Sequence, residues 1–168
     1  MDEPKPIRRI VFLDIDGVLN SREVFERICT QMPEIRRKGR FEYDVAQLDE
    51  VMVGRLNRIL ERTGAEVVLS STWRKLHLVH EVQAMLECKG FTGRILSQTP
   101  VMNTLRGHEI ERWLQKNAPS ASYVILDDDS DMEGCLDRLV QTSCRTGLQD
   151  EHVERAVALL MESSGVDS

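Results

Sequence analysis

Ile10-Val11-Phe12-Leu13-Asp14-Ile15-Asp16-Gly17-Val18-Leu19-Asn20 decides the fold of this chain. Its apolar opening, rich in branched and aromatic residues, predicts a strand buried on both faces inside a parallel sheet. The run stops at two carboxylates one residue apart, and Gly17 then allows a tight turn. Ligands of open parallel sheets bind beyond the carboxyl ends of the strands, so Asp14 and Asp16 are expected at a site. Two such close anions repel unless a cation lies between them or one is protonated. Oxygen donors favour a hard cation such as Mg²⁺. An EF-hand calcium loop counted from Asp14 would need glycine at Leu19 and glutamate at Phe25, and has neither. The plain alternative is a solvated strand-to-helix turn, since Asp and Gly are ordinary turn residues.

Outward from this stretch, strands and helices alternate. Ser21 to Asp44 is polar, carries Arg36, Arg37, Lys38 and Arg40, and lacks sustained periodicity, so a mobile flap with little helix is expected. Val45, Leu48, Met52, Leu56 and Ile59 predict an amphipathic helix closed by Gly64, with Arg55, Arg58 and Arg62 outside. Ala65 to Leu69 reads as a strand, Leu76, Val79, Val82 and Leu86 as a helix ended by Gly90, and Arg94 to Ser97 as a short strand. A loop with Pro100 leads to a helix on Ile110, Trp113 and Leu114, then to the strand Tyr123 to Leu126. A short helix (Met132, Cys135, Leu136), a fifth strand over Leu139 to Thr142 and a last helix on Val153, Ala156, Val157 and Leu160 follow. The expected architecture is α/β: a five-stranded, mainly parallel sheet with helices on both faces. Residues 1–168 read as one domain, residues 20–44 being a flap or minimal cap insertion with no large cap domain.

Two later strand ends bear groups suited to phosphate chemistry. Ser70 and Ser71 open a helical turn, where backbone N–H groups and a hydroxyl can hold a phosphoryl oxygen or simply cap the turn. Trp73 reads as packing rather than stacking, and Arg74 as either a substrate-phosphate contact or a surface charge. Asp127-Asp128-Asp129-Ser130-Asp131 places four acids in five positions directly after a strand, more than capping needs. Arg106 starts a helix, the end where the macrodipole disfavours a cation, which hints at a role other than helix stability. His108 reads as a polar helix residue.

These motifs, in this order, resemble those of the haloacid dehalogenase (HAD) superfamily in its phosphatase form. Asp14-Ile15-Asp16-Gly17-Val18 is similar to the first motif, Ser70 (or Ser71) to the second, Arg106 to the third, where Lys is common, and Asp127-Asp128 to the fourth. The family's usual second acid, four positions after the first, falls on Asp131 counted from Asp127 and on Met132 counted from Asp128. Asp131 is therefore a candidate outside the direct ligand set. Leu69 to Arg74, Arg106-Gly107-His108-Glu109-Ile110 and Tyr123 to Asp129 also resemble the HAD domains of Swiss Army Knife RNA-repair proteins.

The resemblance implies a Rossmann-like HAD fold and a Mg²⁺-dependent phosphomonoester hydrolase. Asp14 would be the nucleophile, forming an aspartyl-phosphate, and Asp16 the general acid/base. Asp14, Asp127 and Asp128, with the Asp16 backbone carbonyl, would hold Mg²⁺, and Ser70 or Ser71 with Arg106 would hold the phosphate. The substrate expected is a phosphorylated molecule; the basic run Arg36 to Arg40 reads either as a contact for a nucleic-acid 3′-phosphate end or as a solvated charged loop. Phosphoprotein or small-metabolite phosphatases are the alternatives within the superfamily, and a catalytically silent phosphate-binding module is the alternative outside it.

The chain has 168 residues and a net charge of −6, which gives no general electrostatic footprint for nucleic acid or anionic membrane. No apolar run approaches the roughly 20 residues that span a bilayer, and Met1 to Arg9 lacks the apolar core of a secretory signal. Cys29, Cys88, Cys135 and Cys144 show no paired spacing and read as buried thiols of a reducing cytosol, so a cytoplasmic location and no membrane partner are expected.

Overall fold

Ile10 to Leu13 are fully buried, which a strand achieves only with partners on both edges and layers on both faces. A computed structural model, describing residues 3–162, supplies both. Strand β1 (Arg9–Leu13) lies at the centre of a five-stranded sheet. It pairs in parallel with β2 (Glu66–Leu69) on one side and β4 (Ser122–Asp127) on the other. The edges are β3 (Ile95–Gln98) and β5 (Leu139–Gln141), giving the order β3-β2-β1-β4-β5 with every pairing parallel. This is the Rossmann-like α/β architecture expected from the sequence.

Alternation along β1 divides the core. Val11 and Leu13 face a layer built from α3 (Glu50–Thr63), α4 (Val79–Glu87) and α6 (Asp150–Met161). Ile10 and Phe12 face Ile110, Trp113 and Leu114 of α5 (Arg106–Asn117), together with Met132 and Cys135. Trp113 and Tyr123 meet the Phe12 ring edge-on, with centroids 5.6 and 5.7 Å away. Outward-facing Arg55 and Arg62 of α3 pair with Asp150 and Glu154 of α6 at 3.1 and 2.6 Å.

Residues 21–44 differ from expectation. They fold into α1 (Arg22–Gln31), a 3₁₀ turn (Pro33–Arg37) and the start of α2 (Arg40–Gln47). Val24, Ile28 and Ile35, with Tyr43 and Ala46, make a small apolar cluster of their own. Its contributors are spread over three short elements, so no single stretch is long enough to show a period. The expected helix from Val45 through Ile59 is interrupted: Leu48 is extended, and Asp49 caps α3 through the N–H groups of Val51 and Met52. Leu76 is exposed rather than part of α4, and Met132 and Cys135 are buried in a turn ahead of a 3₁₀ segment, Leu136–Arg138.

Of the cysteines only Cys135 is buried; Cys29, Cys88 and Cys144 are exposed on helix surfaces and loops. Among the described residues no helix is long and apolar enough to cross a membrane.

Candidate active site

The register β2-β1-β4 brings the strand ends side by side. Ser70 N–H donates to the Leu13 carbonyl, and Asp14 N–H to the Leu126 carbonyl, so Ser70, Asp14 and Asp127 continue three adjacent strands. Asp14 is 5 % exposed and Asp127 is fully buried. Each of Asp14, Asp127 and Asp128 offers a carboxylate oxygen within 4.8 Å of the others. Asp128 reaches this group by lying over Gly17. A β-carbon at position 17 would sit 2.4 Å from an Asp128 oxygen, and Gly17 holds a φ of +79° that side chains resist. Thr142 at the end of β5 fixes the same loop, its hydroxyl donating to the Gly17 carbonyl over 2.6 Å.

Arg106 enters from the first turn of α5. Its guanidinium bonds Asp127 and lies 3.4 Å from Asp14. Gly107 makes this approach possible, since a β-carbon there would meet backbone atoms of Met132 and Glu133 at 2.9 Å. Asp131 receives the N-terminus of α5: its carboxylate accepts from Arg106 N–H at 3.4 Å, and its carbonyl from Gly107 N–H at 3.2 Å. Asp131 thus acts on the position of Arg106, outside the converging trio. Asp129 is exposed and accepts from Ser130 N–H within the loop.

Burial pushes the Asp14 carboxyl up to about 8, the Asp127 carboxylate adds to the rise, and Arg106 opposes it. Asp127 is raised as well, by burial first, against the pull of Arg106 and the Asp129 N–H. Burial alone would lower the Arg106 guanidinium, but Asp14 and Asp127 outweigh it and raise it. One monocation therefore does not neutralise this pocket. By themselves Asp14 and Asp127 favour holding one proton between them, the behaviour of crowded carboxylates. A cluster of hard oxygen donors that retains a proton for lack of positive charge fits a divalent cation.

The Asp16 side chain does not join that trio. It is exposed, and its Oδ1 accepts from Asn20 Nδ2 at 2.9 Å and Trp73 Nε1 at 3.1 Å. The two serines also separate. Ser71 Oγ accepts from Trp73 N–H and caps the 3₁₀ turn Thr72–Lys75, whereas Ser70 Oγ is buried with no partner among the described residues. A buried hydroxyl with nothing to bond beside a row of carboxylates is a ready partner for a ligand oxygen.

Arg74 is neither the substrate-phosphate contact nor the surface charge expected from the sequence. Its side chain is 2 % exposed, so it is no surface charge. All five of its N–H groups are engaged, on the carbonyls of Ser70, Ser71, Thr99 and Pro100 and on Glu109 at 2.9 Å, which leaves none for a substrate. It braces the Ser70–Ser71 turn from behind. Trp73 and Asn20 are contributors that sequence reasoning missed: Trp73 resembles any core aromatic, and the one signal for Asn20 was its place in the first motif. His77, also missed, is buried against Asp44 of α2 with Nε2 2.7 Å from its carboxylate, tying the helical insertion to the segment that carries Trp73.

A cavity of about 720 Å³ lies apart from these groups, between β3 and α5, and none of its lining residues is an aspartate. The chemistry sits at the strand ends instead. Neither the curated proteins nor the solved structures give a match to this chain. The model of one family, described as the HAD domain in Swiss Army Knife RNA repair proteins, matches residues 10–153. That span runs from the central strand into the last helix and contains every aspartate of the converging group, and the chain belongs to this HAD-domain family.

Proposed function

We propose that the protein is a Mg²⁺-dependent phosphomonoester hydrolase that works through an aspartyl-phosphate on Asp14. The observation that carries this reading is the convergence of Asp14, Asp127 and Asp128 with Arg106 at the strand ends, while Asp16 is held apart and exposed. A carboxylate oxygen of Asp14 attacks phosphorus, and the ester P–O bond breaks with its electron pair leaving on the ester oxygen. Asp16 gives that oxygen its proton, then takes one from the water that attacks the phosphorus of the aspartyl-phosphate. Hydrolysis of the acyl phosphate returns Asp14 and inorganic phosphate. Ser70 Oγ and the backbone N–H groups after it receive phosphoryl oxygens, and Arg106 balances the charge that gathers there.

Asp14, Asp127 and Asp128, with the backbone carbonyl of Asp16, would hold the cation. When bound it supplies the positive charge that lets an anionic nucleophile meet a phosphate dianion. A stability test follows. The folded Asp14 carboxyl titrates near 8 against an ordinary 3.8, so over that window the native state keeps a proton that the unfolded chain releases. The stability of metal-free protein should therefore fall as pH rises between those values. Saturating Mg²⁺ should flatten the fall, raising Tm most at the alkaline end. Melting in EDTA and in Mg²⁺ at several pH values checks this; equal Mg²⁺ shifts at acid and alkaline pH would count against the cation site.

For substrate we favour a nucleic-acid 3′-phosphate end. Support comes from the RNA-repair description of the family and from the exposed Arg36, Arg37, Lys38 and Arg40 on the insertion. Residues 20–44 serve as a minimal cap, anchored beside the site by the His77–Asp44 contact. A polymer can add contacts there that a mononucleotide cannot. A 3′-phosphorylated oligonucleotide should have a KM several-fold below that of its mononucleotide, an advantage that shrinks with salt as counterion release weakens. A panel with phosphopeptides and sugar phosphates separates the alternatives: a preferred phosphopeptide or metabolite removes the nucleic-acid reading alone, and binding without phosphate release points to a silent module.

A further inference from the structure

We infer that Trp73 and Asn20 form a clamp that dictates which oxygen of Asp16 carries the catalytic proton, making both of them positioning residues for the general acid. The inference rests on the proposed role of Asp16. Both donors meet the same oxygen: Asn20 Nδ2 lies 2.9 Å and Trp73 Nε1 3.1 Å from Asp16 Oδ1. The orientation of the Asn20 amide is set independently, because its Oδ1 accepts from Gly17 N–H at 2.9 Å, which turns Nδ2 toward Asp16. Indole nitrogen is a donor only, so neither contact can reverse. With two N–H groups on Oδ1, a proton on that oxygen would face both donors. It must reside on Oδ2, which receives no hydrogen bond among the described residues.

The clamp is rigid where the acid is not. Asn20 is 1 % and Trp73 5 % exposed, while Asp16 is exposed at the mouth of the site. A short carboxyl at a solvent-facing turn could otherwise rotate about its side-chain bonds and present either oxygen. Trp73 is itself held, its backbone N–H on Ser71 Oγ and its ring 6.0 Å from that of His77. The turn that presents Ser70 to the phosphate thus also aims the acid at the leaving oxygen. When the ester bond breaks, its electron pair goes to that oxygen, which takes the proton from Oδ2 and leaves Asp16 as a carboxylate.

Misaiming an acid matters only as far as the leaving group needs a proton. Trp73→Phe keeps an aromatic side chain, smaller than indole, and removes the N–H. The kcat/KM for an alkyl phosphate, which reports ester cleavage and not the shared hydrolysis of the aspartyl-phosphate, should fall relative to that for p-nitrophenyl phosphate by about tenfold to a hundredfold. Merely structural damage would lower both rates together and leave the ratio alone. In an Asp16→Asn background, where there is no proton to aim, Trp73→Phe should no longer move the ratio. If Trp73→Phe does not fold, 3-benzothienylalanine at position 73, isosteric but without the N–H, gives the same comparison. A ratio unchanged on losing the Trp73 N–H, while Asp16→Asn shifts it, overturns the clamp and spares the general acid. A ratio unchanged in Asp16→Asn removes the general-acid role and the clamp with it.

Discussion

Asp14→Asn should lower phosphomonoester turnover by on the order of 10⁴-fold or more, because it deletes the nucleophile through which the two-step route passes. The fold should survive. Asn keeps the shape of Asp, and the backbone of position 14 stays in the sheet through its N–H on the Leu126 carbonyl. Stability should even move the other way. Burial, and after it repulsion from the Asp127 carboxylate, raises the Asp14 carboxyl to about 8. A neutral amide removes that repulsion, so in EDTA at alkaline pH the variant should melt at or above the wild-type temperature. Paired assays of phosphate release and melting check both halves. Loss of activity together with a much lower Tm would mean that the residue is structural.

Arg74→Ala should cost about 3–5 kcal/mol of folding stability, the range for breaking a buried ion pair from one side. The pair is deep: the Arg74 and Glu109 side chains are 2 % and 7 % exposed. Removing the guanidinium strands Glu109, which keeps the Met102 N–H at 2.8 Å, and unpairs buried carbonyls of the Ser70–Ser71 turn. Arg74→Lys should rescue little, since one ammonium cannot serve five divergent acceptors. The urea midpoint, with the slope held constant, measures the loss. A change below about 1 kcal/mol would show that the pair contributes no more than a surface contact.

Arg74 also marks the boundary of what the sequence discloses. The central strand was legible because an apolar run ending in Asp14 and Asp16 has few other structural meanings. The acids at Asp127 and Asp128 were legible because they follow a second such run, and parallel pairing then sets the two strand ends side by side. Burial of a charge was not legible. Arg74 and Arg106 are both basic residues near a predicted turn, yet one is folded inward onto carbonyls and the other faces two carboxylates. That difference depends on Glu109 and Asp127, each more than twenty residues away in the chain.

The insertion was misread for a related reason: its apolar cluster draws on Val24, Ile28, Ile35 and Tyr43, which no one helix contains. Trp73 gave no polar signal because only its indole N–H, and not its apolar ring, meets Asp16. The exposed cysteines show the limit of composition, which reports a tendency to be buried and not the face of a helix on which Cys29 falls.

In the proposed route Asp14, and not water, attacks phosphorus. Hydrolysis of a phosphorothioate monoester made chiral at phosphorus by sulfur and two oxygen isotopes, in water labelled with a third and with Mg²⁺, reads this directly. Each in-line displacement inverts the phosphorus centre, so a route through an aspartyl-phosphate inverts it twice. Net retention of configuration is the expected result, whether or not the intermediate accumulates. Net inversion would mean a single displacement by water and would contradict the role given to Asp14.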